Sequence, residues 1–196
     1  TLNEVELFVG VGGTLQGTSP ATYDVGAGTL GFHGSLDTMS LVAIQDGTAA
    51  SYLGVQVSGL EAELLGFDPL LEMHVWDVAL KLNKASDALG APSAKLDWDS
   101  LSTSGLPLAS LTIDHAVDVH AEGNVALDAL NGTLVAVATG TTGPDQPGFS
   151  LDIGQVSTRA PSNGVSFTDA DAVSLTLAGV EVFVGVGGNL TGTSGL

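Results

Sequence analysis

The chain has 196 residues, 44% of them apolar but only 5% aromatic, with 27 glycines and no cysteine. Twenty-two acidic groups against four basic ones (Lys81, Lys84, Lys95 and Arg159) leave a net charge of −18, which repels phosphate backbones and anionic lipid and so argues against nucleic acid as a partner. No apolar run approaches the roughly 18 residues of a membrane-spanning helix, so no membrane insertion is expected, and without disulfides stability must come from size, sheet hydrogen bonding or bound ions.

Taken in chain order, the elements read as strands. The first run, LNEVELFVGVGG, contains Gly10-Val11-Gly12-Gly13. It lacks the G-K-[ST] ending of a phosphate loop and no helix follows, so its glycines mark a bulge or a close approach of another backbone. Leu30 and Phe32 alternate, then Met39 and Leu41. Residues 55–64 (VQVSGLEAEL) and 73–82 (MHVWDVALKL) share a template with 175–184 (LTLAGVEVFV): apolar residues alternate, skip once at Gly59, Asp77 or Gly179, then alternate in the other phase. Side chains change face at every residue of a strand, so a one-residue skip means a bulge or corner. Glycine takes the required backbone angles cheaply, and Asp is a tolerable substitute. Residues 60–66 and 78–90 have helix-forming composition; the template favours strand, with a short helix near 83–90 as an alternative.

Further along, Leu111, Ile113, His115, Val117 and Val119 alternate with Thr112, Asp114, Ala116, Asp118 and His120. This predicts a strand with His115 on the apolar face and Asp114 and Asp118 pointing away from it. Leu134–Val137 and Phe149, Leu151 and Ile153 follow. Strand centres recur roughly every 15–20 residues, near 60, 78, 96, 116, 134 and 152. Turn signals stand between them at Asn131-Gly132, Gly143-Pro144-Asp145, Gln146-Pro147-Gly148 and Pro161-Ser162-Asn163-Gly164.

The ends of the sequence repeat each other. Residues 1–21 (TLNEVELFVGVGGTLQGTSPA) and 176–196 (TLAGVEVFVGVGGNLTGTSGL) are identical at 14 of 21 positions with a constant offset of 175. Residues 1–175 therefore read as one full repeat unit, 176–196 as the start of the next, and the native chain is expected to continue in both directions. The expected fold class is all-β, an elongated β-solenoid-like tandem repeat. The alternative is a string of β-sandwich domains, one per repeat.

The runs AVSLTLAGVEVFVGVGG, SYLGVQVSGLEAELLGFDPLLEMHVWDVALKLNKASD, AKLDWDSL and ASLTIDHAVDVHAEGNVALDAL resemble, in the same order, a repeat of very large bacterial proteins. The resemblance covers most of the period. It implies a secreted or surface-displayed giant, adhesin-like protein, often accompanied by calcium-binding repeats, and it brings no active site.

Catalytic chemistry finds little support. There is no cysteine, no serine stands in a G-x-S-x-G elbow, and His33, His74, His115 and His120 make no zinc-ligand spacing. His74 and His120 read as surface strand residues and His115 as partly buried. Calcium is the better candidate, since it takes six to eight oxygen ligands. Asp97 and Asp99, and likewise Asp169 and Asp171, would each put two carboxylates on one face of a strand. A third acidic face is formed by Asp114, Asp118 and Glu122. Solvated acidic faces explain the same residues without an ion. Asn131-Gly-Thr and Asn189-Leu-Thr match the glycosylation tripeptide. The expected function is a structural, non-enzymatic one, in an extracellular or cell-surface fibre or stalk whose partners are neighbouring repeats and copies of the same chain. The alternative is an adhesin repeat that binds glycans or calcium; its aromatic candidates, Tyr23, Tyr52, Trp76 and Trp98, are widely spaced.

Overall fold

The computed structural model describes residues 1–18, 23–47, 50–140, 146–159 and 163–191. The described residues are all-β, with no helix among them. The strands are β1 (Leu2–Val11), β2 (Thr14–Gln16), β3 (Asp24–Gly26), β4 (Leu30–Gln45), β5 (Ser51–Leu65), β6 (Leu71–Ser86), β7 (Val117–Ala129), β8 (Leu134–Ala138), β9 (Phe149–Val156), β10 (Ala170–Leu177) and β11 (Val180–Val184). Nine of them build one large antiparallel sheet that does not close; β2 and β3 pair separately.

The sheet is a sequence of long rungs. β1, β4, β5, β6 and β7 follow one another as neighbours. β9 then pairs with the first half of β7 and β8 with the second half, so together they make one broken rung. β10 pairs with β9, and β11 with β8, completing the last rung. Aspartates close several connections: Asp46 Oδ1 accepts from Ala50 N–H at 3.1 Å, Asp87 Oδ1 from Leu89 and Ala91 at 2.9 Å each, and Asp128 Oδ1 from Gly132 at 2.7 Å. Such side-chain turns satisfy backbone donors where the ladder ends. The Asn131-Gly132 turn stands where the sequence places it, with positive φ at both residues. The signals at 143–145 and 161–162 lie outside the described residues.

The corners expected at Gly59, Asp77 and Gly179 are real: their φ angles are 61°, 53° and 58°. They lie on a line crossing the sheet. The ladder shifts register at Gly59 and at Asp77, and between β1 and β4 it omits the pair Glu4/Asp37. Glu4 is itself at φ 51°, the position equivalent to Gly179 one period earlier. The corners restore the phase, so apolar rows on both sides of the line share one face of the sheet. A Cβ at Gly59 would also collide with the Asp37 carboxyl group, a second reason for glycine there.

Residues 87–116 depart from expectation. The strand near 96 and the strand beginning at 111 are absent; β7 starts only at Val117. Instead this segment folds back over one end of the sheet and makes its best-buried core, in which Trp98, Leu111 and Ile113 pack on Val42. Trp98 sits over Gly54, where a Cβ would come within 2.8 Å of the indole. The alternation of Leu111 and Ile113 reflects one-sided burial of an extended segment lying on a sheet rather than membership of a ladder. The alternative helix near 83–90 is also absent, because β6 runs on to Ser86 and a turn follows.

Asn83, on β6, locks this lid. It is fully buried. Its Nδ2 donates to the carbonyls of Leu96 (2.8 Å) and Asp114 (3.2 Å), and its Oδ1 accepts from Trp98 Nε1 at 2.9 Å. The buried Trp98 Nε1–H and two part-buried carbonyls are thereby satisfied, the Asp114 carbonyl accepting also from Val117 N–H at 3.3 Å. At the lid's margin Lys95 Nζ reaches Asp118 Oδ1 at 2.7 Å, and Gln56 Oε1 accepts from Thr112 N–H at 2.9 Å.

Candidate functional site

The two copies of the repeated segment occupy the two outermost rungs of the sheet. Residues 2–11 form β1, whose ladder is to β4. Residues 177–184 end β10 and form β11, whose ladders are to β9 and β8. Their local conformations agree in part: Gly10 and Val11 continue β1 and Thr14–Gln16 form β2, whereas the second copy leaves the strand after Val184 and has no strand at 189–191. The corner is at Glu4 in one and Gly179 in the other, and Gly12 and Gly187 have φ of 86° and 80°. Phe8 lies against Gly10 and Gly13, Phe183 against Gly185 and Gly188, and in each case a Cβ on the glycine would run into the ring. The F-V-G-V-G-G run is thus the end of a strand and the turn after it, with the aromatic folded over its own glycines, and a phosphate has no role in explaining it. The ladder of the second copy stops where Val184 meets Leu134, the first residue of β8, but Gly185 N–H still donates to the Thr133 carbonyl at 2.9 Å.

Both rungs are strongly apolar, and among the described residues no strand pairs with their outer edges. Val9 and Val11 are 65% and 64% exposed, Val184 and Val186 74% and 97%. An edge strand of this kind offers unpaired N–H and C=O groups beside apolar side chains, an arrangement that other strands complete. Glu6 and Glu181 supply a charge at matching positions of the two rungs.

The expected calcium ligands are not arranged as pairs on strands. Asp97 and Asp99 flank the buried Trp98 in the non-strand lid, so strand alternation does not align them. Asp169 lies in a bend at φ 48° and accepts from Ser157 Oγ at 3.1 Å, while Asp171 is in β10 opposite Gln155. The fold brings Asp97 instead to Asp114 and His115, with one ligand atom from each within 4.8 Å of the others. Sequence reasoning missed this trio because it placed Asp114 and His115 on opposite faces of a strand. In the lid they meet, His115 Nδ1 lying 3.4 Å from Asp114 Oδ1. His115 is also exposed rather than partly buried. Asp114 Oδ1 is already engaged by Ala116 N–H at 2.6 Å. These two carboxylates and an imidazole could hold a small divalent ion, although the imidazole is foreign to the all-oxygen shell of calcium.

The remaining histidines pair with carboxylates across or along strands: His120 with Asp152 at 2.7 Å, His74 with Glu72 at 2.9 Å and His33 with Glu63 at 3.6 Å. In a chain with four Lys and Arg, they serve as partners for sheet carboxylates. A hollow of about 710 Å³ at the lidded end is lined by Ile44, Tyr52, Lys84 and Pro92, and none of the described residues in its wall carries a carboxylate or an imidazole. No family model, curated protein or solved structure matches the chain.

Proposed function

We propose that the chain is a repeat unit of a structural protein, a tandem β-rich array forming a fibre or stalk on or outside a cell. One observation carries the reading: a segment repeated at an offset of 175 residues occupies both outer rungs of one open sheet. An array elongates naturally when each unit contacts only its neighbours through such rungs. The acidic surface, at −18, keeps it from condensing on nucleic acid or anionic membrane. The resemblance to repeats of very large surface-displayed bacterial proteins points the same way.

The test is immunolabelling. Antibody raised against this chain, applied to source cells in electron microscopy, is expected to decorate extended material outside the cell at regular intervals. Label confined to the cell interior would sink the proposal.

A further inference from the structure

We infer that residues 177–186 are a shared strand: their free backbone edge takes the strand equivalent to β4 of the next copy of this chain, so that successive copies form one uninterrupted antiparallel sheet. The inference rests on the tandem reading above and specifies its joint.

The first support is the direction of the backbone groups. Consecutive residues of a strand point their N–H and C=O groups to opposite neighbours. In β1 the Val11 carbonyl points to β4 and accepts from Thr29 N–H at 3.0 Å. In the second copy Gly185, equivalent to Gly10, points its N–H to the other side, toward Thr133. The two copies therefore use alternate residues of the same sequence. The groups that β1 spends on β4 are the ones that 177–186 leaves free, and one strand can satisfy both neighbours.

The second support is direction and register. From β1 to the β10–β11 rung there are six antiparallel steps, through β4, β5, β6, β7 and the β8–β9 rung. An even number returns the chain to its starting direction, as a repeating sheet requires. Following paired residues across the sheet, Leu7 leads through Gly34, Ala62, Val75, Val125 and Ala138 to Val180. Beyond the corners, Leu2 leads through Met39, Val57, Leu80, Ala121 and Leu151 to Leu175. Val180 is equivalent to Val5, and Leu175 lies two positions before Leu177, the equivalent of Leu2. Both rows thus slip by two residues per period. An even slip keeps every side chain on its face, whereas an odd one would turn the apolar rows over.

The third support is space. A Cβ at Gly10 would strike the β4 backbone at Leu30 and Gly31, whereas at Gly185 the three nearest atoms it would meet all belong to the Phe183 ring and none to a neighbouring backbone. The second copy thus keeps a glycine that would also suit a β4 backbone beside it. The joint would place Phe32, Gly34 and Leu36 of the next copy beside Val184, Val182 and Val180, as β4 now meets Val9, Leu7 and Val5. Each period would advance about 29 Å across the strands and slide about 7 Å along them.

A chain of two periods, residues 1–196 followed directly by 22–196, tests the joint. The native sequence has no cysteine, so introduced thiols report alone. Since Glu6 pairs with Ser35 and Asn3 with Thr38, the joint brings Glu181→Cys beside Ser35→Cys of the second period, and Ala178→Cys beside Thr38→Cys. Mild oxidation is expected to consume most thiols in either pair. Val182→Cys with the second period's Ser35→Cys puts the thiols on opposite faces and should leave them free. If both register pairs react no faster than that control, in chains that melt like the cysteine-free parent, the shared strand is overturned. That result would leave a fibre of separately folded units, and the labelling experiment would stand unaffected. Failed labelling would leave the sheet joint intact.

Discussion

The lidded end of the sheet and its outer rungs are built from similar aliphatic residues, yet one is dry and the other open. Under the lid, Val42, Leu111 and Ile113 are at most 5% exposed, whereas Val9 and Val184 on the outer rungs are exposed by more than half. Apolar composition alone therefore does not decide burial. The lid has Trp98 to fill the space over Gly54 and Asn83 to satisfy the polar groups it buries. The outer rungs have neither, and their unpaired backbone remains available to a partner. The lidded end is the best-buried core of the chain; under the proposal above, the rungs are its means of connection.

The sharpest way to break this contrast is at Trp98. Trp98→Ala removes the ring that Leu111 and Gly54 pack against, and the expected loss is about 3–5 kcal/mol of unfolding free energy in guanidinium melts. Asn83→Leu is expected to cost about 2 kcal/mol, because Trp98 Nε1–H and the carbonyls of Leu96 and Asp114 lose a buried partner. Amide hydrogen exchange should rise across 96–114 and little on β1. Glu4→Gly is expected to act in the other direction. It relieves a non-glycine residue at φ 51° and should raise stability by about 0.5–1 kcal/mol net of glycine's added chain entropy, read as a higher denaturant midpoint. Val184→Thr, on a bare edge, is expected to change the stability of the single chain by less than about 0.5 kcal/mol. A loss as large as that of Trp98→Ala would show the outer rung to be core, and the contrast would fail.

Several features were legible without the fold. Gly59, Asp77 and Gly179 announce corners because the alternation changes phase there and those residue types tolerate the angles. Glu4 was missed for the converse reason: glutamate has no preference for positive φ, and only its equivalent Gly179 hints at the conformation. Leu111 to Ile113 misled, because a segment pressed on one side against a sheet has the same period of two as a strand in it. The error carried over to Asp97, Asp114 and His115, which meet only because residues 87–116 fold back as a lid.

Local rules suffice for corner, turn and repeat, and for an extended backbone if not for its place in a ladder, since each depends on backbone angles, side-chain alternation or identity, all written along the chain. Where the rungs stand in the sheet is a different kind of fact. That 2–11 and 177–186 fall on opposite edges with opposite backbone groups free, and that Asn83 meets Trp98 beneath a lid, depends on pairings between residues far apart in sequence. No local preference encodes those pairings; they follow from packing apolar side chains and pairing most buried polar groups across the whole sheet at once.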